Sequence, residues 1–205
     1  MNNIGSTGII SMALLSSLLI MGASSSVIFE GSDDLSEDAK QAVNDALEEI
    51  TTYLKIEEAI GKYYTTNNER RVERIVIFVK QFITSMVNVS ELKIKIQNDV
   101  DVIVLSYSGH AEKIGSKPMF SHDIWEKTNN SFSIIVTNDN DRSLLDYNIM
   151  NKDRGYIAIK LPESFAMKKS EKISISIIPS KGITSSILCE TPSLHISNII
   201  SFGEI

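Results

Sequence analysis

Three histidines, His110, His122 and His195, are the side chains best suited to proton transfer near neutral pH. They stand far apart, and no HExxH, GxSxG or P-loop pattern accompanies them. Ordinary packed or surface histidines are expected, with no catalytic residues, no enzyme activity and no cofactor. The single cysteine, Cys189, lies in a predicted strand and reads as a small buried hydrophobe. Two oxygen-rich clusters could interest a hard cation: Asn98, Asp99 and Asp101, and then Asn138, Asp139, Asn140 and Asp141. Asn and Asp also dominate turns for purely backbone reasons, so both are expected to be turns that hold no metal. Two sequons, Asn88-Val89-Ser90 and Asn129-Asn130-Ser131, fall in predicted loops and make Asn88 and Asn129 candidates for N-glycosylation. Trp125 and Tyr107 read as packing residues, in the core or between subunits. Lys168 and Lys169 read as a solvated loop.

The elements that carry these residues fall into two parts. The chain has 205 residues, 42% of them hydrophobic and 22% charged, with few Gly and Pro, which excludes collagen-like and wholly disordered classes. A net charge of -6 argues against a nucleic-acid partner, whose phosphates need a cationic face. With one cysteine no intrachain disulfide exists, so the core must be large enough alone. Charge is unevenly spread: none occurs from Met1 to Phe29, and Glu30 is the first. Two different surroundings are implied.

Residues Ile4 to Phe29 are long enough to span a bilayer as a helix, which needs about 20 apolar residues. The segment is rich in Gly, Ser and Ala, including Gly5, Gly8, Ser11, Ala13 and Gly22. Small residues let helix backbones approach closely, which suits helix-on-helix packing better than lipid contact. A single-pass anchor is the simpler reading. No Lys or Arg flanks the span, which fits poorly with either an anchor or a signal peptide. Removal of a basic leader would explain that composition.

After the polar break Gly31-Ser32-Asp33-Asp34, apolar residues recur at spacings of three and four from Leu35 through Ile60. That pattern predicts an amphipathic helix with Ser32 or Asp33 as a cap, Gly31 as a kink and Gly61 as a stop. A continuous helix from Ile4 to Ile60 would be about 85 Å long. From Arg71 the period becomes strand-like. Strands are predicted at Val72 to Lys80, Leu92 to Gln97, Val102 to Tyr107, Phe132 to Thr137, Tyr156 to Leu161, Lys172 to Ile178, Ile183 to Leu188 and His195 to Phe202. The expected class is α+β: a long N-terminal hydrophobic helix over residues 1–62, then an antiparallel immunoglobulin-like β-sandwich over 70–205. A closed barrel is the alternative.

Three stretches carry a resemblance. TGIISMALLSS, Thr7 to Ser17, RIVIFVKQFITSMVNVSELKIKI, Arg74 to Ile96, and the closing strands from Gly155 to Phe202 are similar, in order and spacing, to the archaellins, the flagellins of archaea. The Pro-centred turns IIPSKG, Ile177 to Gly182, and ETPS, Glu190 to Ser193, match as well. Ser180 stands where the family more often has an acid, and the opening is less rich in Val and Ala than usual. Bacterial-type pilins carry a Glu early in the mature helix, and none precedes Glu30 here.

The resemblance implies an extracellular filament for swimming motility, in which N-terminal helices bundle as the core and β domains coat the outside. It implies identical or closely related subunits as partners, and a prepilin-type peptidase and the membrane before assembly. N-glycosylation is common in the family, which favours Asn88 and Asn129. The residues expected to pack in the filament core are Ile4, Gly5, Gly8, Ile9, Met12, Leu15, Leu18, Leu19, Gly22, Val27 and Phe29. The physics agrees with such an assembly: one chain cannot bury an all-apolar helix alone, and head-to-tail contacts that do not close make an open polymer. An adhesive archaeal pilin and a membrane-anchored sandwich module of the motor or envelope are the rival readings.

Overall fold

The computed structural model describes residues 39–43, 46, 54–66, 68–81, 86–194 and 197–204. Two compact units divide the chain, Met1–Asp45 and Ala46–Ile205. Residues 39–43 and 46 are helical, as the periodicity predicts. The remainder of the expected helix, with the core-packing positions from Ile4 to Phe29 and the Gly31 kink, lies outside the described residues. Among the described residues no helix is long and apolar enough to cross a membrane.

The second unit is built from strands. β1 spans Leu54–Thr66 and β2 Glu69–Gln81, followed by a two-residue β3 at Val87–Asn88. Next come β4 (Lys93–Gln97), β5 (Val102–Lys113) and β6 (Ser131–Asn138), the short helix α1 (Ser143–Tyr147), and β7 (Ile149–Met150). β8 (Arg154–Lys160), β9 (Lys172–Ile178), β10 (Ser185–Glu190) and β11 (Ile199–Glu204) complete the chain.

The helix predicted through Ile60 is corrected here. Residues Leu54 to Ile60 are strand, and Gly61 lies inside β1 rather than stopping a helix. A β-bulge is the reason. The register of β1 on β2 shifts between Ile56 and Glu58, so the inward residues run Leu54, Ile56, Ala59, Gly61, Tyr63. One extra residue turns a step of two into a step of three, and the strand then imitates helical spacing.

Nine strands form one continuous sheet in the order β10-β9-β4-β5-β6-β8-β2-β1-β11. β3 and β7 form a separate antiparallel ribbon. The sheet curls until its ends meet: β10 lies along β1, and the Ser185 hydroxyl donates to the Leu54 carbonyl. The result is a nearly closed barrel or sandwich rather than two separate sheets. It is also not wholly antiparallel, because β5 and β6 run parallel. Between Tyr107 and Ala111 the β5 register slips, and Gly109 sits there at φ +82, a conformation that costs glycine little.

Inside the curl, apolar side chains from nearly every strand form one core that includes Ile75, Ile77, Ile94, Ile96, Phe132, Ile134, Ile157, Ile159, Ile175 and Leu144. Burying each such side chain is worth roughly 1.5–3 kcal/mol. A parallel pair cannot be joined by a hairpin, so the chain must cross over between β5 and β6. That crossover, residues 114–130, lies on the outer face of the sheet as two 3-10 turns, Met119–Ser121 and Asp123–Glu126. Phe120, Ile124 and Trp125 pack there against Val76, Ile135 and Ala158. β2, β6 and β8 are therefore covered on both faces, which accounts for their unbroken apolar runs in the sequence.

Candidate functional site

The loop between β6 and β8 gathers the densest group of ligand-type side chains. Asp139, Asp141 and Asp153 each offer a carboxylate oxygen, and these oxygens lie within 4.8 Å of one another. Asp139 and Asp153 are buried, and Asp141 is exposed. Three residues with positive φ, Arg142, Asn148 and Lys152, fold the loop back on itself. Asp141 accepts from the Ser143 amide at 3.0 Å and from the Asn151 side chain at 3.3 Å. Asp153 accepts from the Asn151 amide at 2.8 Å and from the Ser143 hydroxyl at 3.2 Å. Asp139 accepts from the Leu145 amide at 3.0 Å through Oδ2, while its buried Oδ1 has no hydrogen-bond partner. The nearby Arg142 is engaged by Asp146, at 2.9 Å through both Nε and Nη2.

These surroundings divide the acids. Hydrogen bonds from Ser143 hold the Asp141 carboxyl below the usual carboxylate range. Burial, reinforced by the neighbouring Asp139 and Asp141, pushes Asp153 up. An orphaned buried oxygen beside two further carboxylates suits a hard divalent cation such as calcium, which takes oxygen ligands and would compensate the repulsion. Turn chemistry holds for Asp141, as the sequence leads one to expect. Asp153 joins the group from twelve residues downstream of Asp141.

The other oxygen-rich cluster is a turn. The Asn98 side-chain oxygen accepts from the amides of Val100 at 2.9 Å and Asp101 at 2.7 Å, closing the β4–β5 connection. Asn88 and Asn129 are both exposed, although Asn88 ends β3 rather than lying in a loop and Val89 beside it is buried. Asn88 accepts from the Ser90 amide and hydroxyl at 3.1 and 2.7 Å, and the Asn129 oxygen accepts from Lys160 Nζ at 3.2 Å.

The remaining candidates are structural. His122 is buried in the crossover, where Nδ1 accepts from the Ile124 amide at 3.2 Å and Nε2 meets the Lys113 carbonyl at 3.1 Å. His110 is exposed, and His195 lies outside the described residues. Burial pushes the Cys189 thiol up to about 12, which makes it a poor nucleophile. Trp125 is buried, donates to the Met119 carbonyl at 2.9 Å and stacks on Phe120 at 6.1 Å. Tyr107 packs on Phe132 at 5.5 Å and donates to Asn148 at 2.9 Å, and burial pushes its hydroxyl up to about 12. Lys168 is half exposed and pairs with Glu69 at 3.2 Å, and Lys169 is exposed.

One feature of the surface has no counterpart in the sequence patterns. On the outer face of β1, β2 and β8, Lys62 stands opposite Arg74, and Arg74 opposite Lys160. The Arg74 guanidinium lies 4.9 Å from the Tyr64 ring centre and 5.0 Å from that of Trp125, and donates to the Phe120 carbonyl at 2.8 Å. Lys62 lies over Tyr64 at 5.3 Å.

No protein-family model matches the sequence, and no curated protein matches it by sequence. Two solved structures share the fold. The archaeal flagellin FlaB1 of Methanocaldococcus jannaschii superposes at a TM-score of 0.64 with 20% identity, covering 72% of this chain and 94% of that one. A subunit of the archaeal flagellum of Methanospirillum hungatei superposes at a TM-score of 0.53 with 12% identity, covering 95% of this chain and 99% of that one. On this likeness, the chain has the fold of the archaeal flagellins.

Proposed function

We infer that this chain is a structural subunit of an archaeal flagellum filament, and that it has no enzymatic role. The observation that carries the reading is the joining of a charge-free opening, residues 1–29, to a sheet domain with the archaeal flagellin fold. In the filament the opening segments of many copies pack together as helices, through the small and apolar positions from Ile4 to Phe29. Each buried CH₂ is worth about 0.8 kcal/mol, so shelter against other copies replaces shelter in lipid. Before assembly the segment resides in the membrane, and a prepilin-type peptidase removes a short leader. The sheet domain faces the outside. Asn88 and Asn129 carry glycans there.

Negative-stain microscopy of material sheared from cells tests the reading. Uniform fibres whose main component is this chain are expected. A chain that stays wholly with the membrane fraction, with fibres made of other proteins, overturns it.

A further inference from the structure

The row Lys62, Arg74, Lys160 is unusual for a chain with 26 acidic and 20 basic residues. The three cations sit in direct cross-strand register, where like charges destabilise a sheet by a few tenths to about 1 kcal/mol per pair. Among the described residues each has only neutral partners. Arg74 is held by a carbonyl and two rings, Lys160 by the Asn129 amide, and Lys62 by aromatic faces. At several other places on the surface cations meet acids: Lys117 pairs with Asp123, Lys127 with Glu112, and Arg142 with Asp146. Clamped between Tyr64 and Trp125, the Arg74 guanidinium is fixed with N–H groups to spare, a geometry suited to a carboxylate.

The complementary charge is in the same chain. Residues 30–49 hold eight carboxylates, Glu30, Asp33, Asp34, Glu37, Asp38, Asp45, Glu48 and Glu49, against Lys40 alone. That stretch cannot neutralise itself, and it accounts for more than the whole net charge of -6. We propose that the Lys62–Arg74–Lys160 row is an interface for a second copy of the chain and receives the acidic stretch at residues 30–49 of that neighbour. The proposal rests on the filament reading above and identifies which face of the sheet domain takes part in assembly. Opposite charges in this arrangement steer the incoming subunit and set its register more than they add raw affinity. An acidic chain disfavours nucleic acid as the alternative occupant.

The test is zero-length carbodiimide coupling of lysines to carboxylates in intact wild-type fibres, followed by a denaturing gel and peptide mapping of the linked bands. Covalent dimers are expected, joined from Lys62 or Lys160 to a carboxylate within residues 30–49. Fibres built from the Lys62→Gln/Lys160→Gln double variant should lose those links, and Arg74→Gln fibres should fall apart at lower salt than wild type. Intact fibres whose dimers are joined elsewhere, or whose links lie only within single chains, overturn the interface and leave the filament reading standing. If wild-type material yields no fibres of this chain, both fail. Mapping on wild-type fibres decides the matter even if the variants do not fold.

Discussion

At the scale of single residues, the acidic loop makes the sharpest predictions. Burial raises the Asp153 carboxyl, so the folded protein retains a proton that the unfolded chain has lost. Its stabilising contribution is present below the unfolded value and disappears as pH rises through the raised folded value. At neutral pH and with chelator present, Asp153→Asn should therefore melt above wild type. Scanning calorimetry of both proteins in chelator checks this, and a variant that melts below wild type contradicts it. The sequence showed the Asn138-to-Asp141 run but not Asp153, because the third carboxylate arrives only when the loop folds back at Arg142, Asn148 and Lys152. Gly61 gives a second residue-scale test. A Cβ at this position would lie 2.8 Å from Phe202 Cε2 and 2.9 Å from Val72 Cγ1, so Gly61→Ala overpacks the β1–β11 contact. A loss of about 1–3 kcal/mol in a urea unfolding curve is expected, and pairing it with Phe202→Leu should recover part of that loss. For the sequons, intact mass of native subunits is expected to exceed the bare chain, and a mass equal to the bare chain removes glycans from the account.

At the scale of elements, legibility followed the regularity of the backbone. β9 coincides with its predicted range, Lys172–Ile178, because its apolar and polar residues alternate without interruption. β4 was equally plain. β1 was hidden by its bulge. β5 extends to Lys113, beyond the predicted end at Tyr107, because the slipped register around Gly109 breaks the alternation that pattern reading depends on. The parallel β5–β6 pair was also out of reach, since strand direction depends on where the crossover goes rather than on any local period. That crossover has its own test. Trp125 anchors it through burial, the bond to Met119 and the stack on Phe120. Trp125→Ala should cost about 3–5 kcal/mol and open residues 114–130 to a protease. Limited proteolysis should then cut first within that segment, whereas a first cut elsewhere would show that the crossover is held by other contacts.

At the scale of the molecule, two kinds of surface have to be reconciled in one chain. The sheet domain closes on itself and buries its own apolar residues, so it needs no partner for its core. The opening segment offers no charge for 29 residues, and nothing in the pattern of the segment itself gives it a polar face. A filament resolves this by letting copies supply the shelter for one another. Hydrogen–deuterium exchange on purified fibres tests the central claim most directly. The account predicts that amides of residues 4–29 remain unexchanged long after the loops of the sheet domain have exchanged, in fibres free of lipid. Rapid exchange of that segment in intact fibres would contradict it.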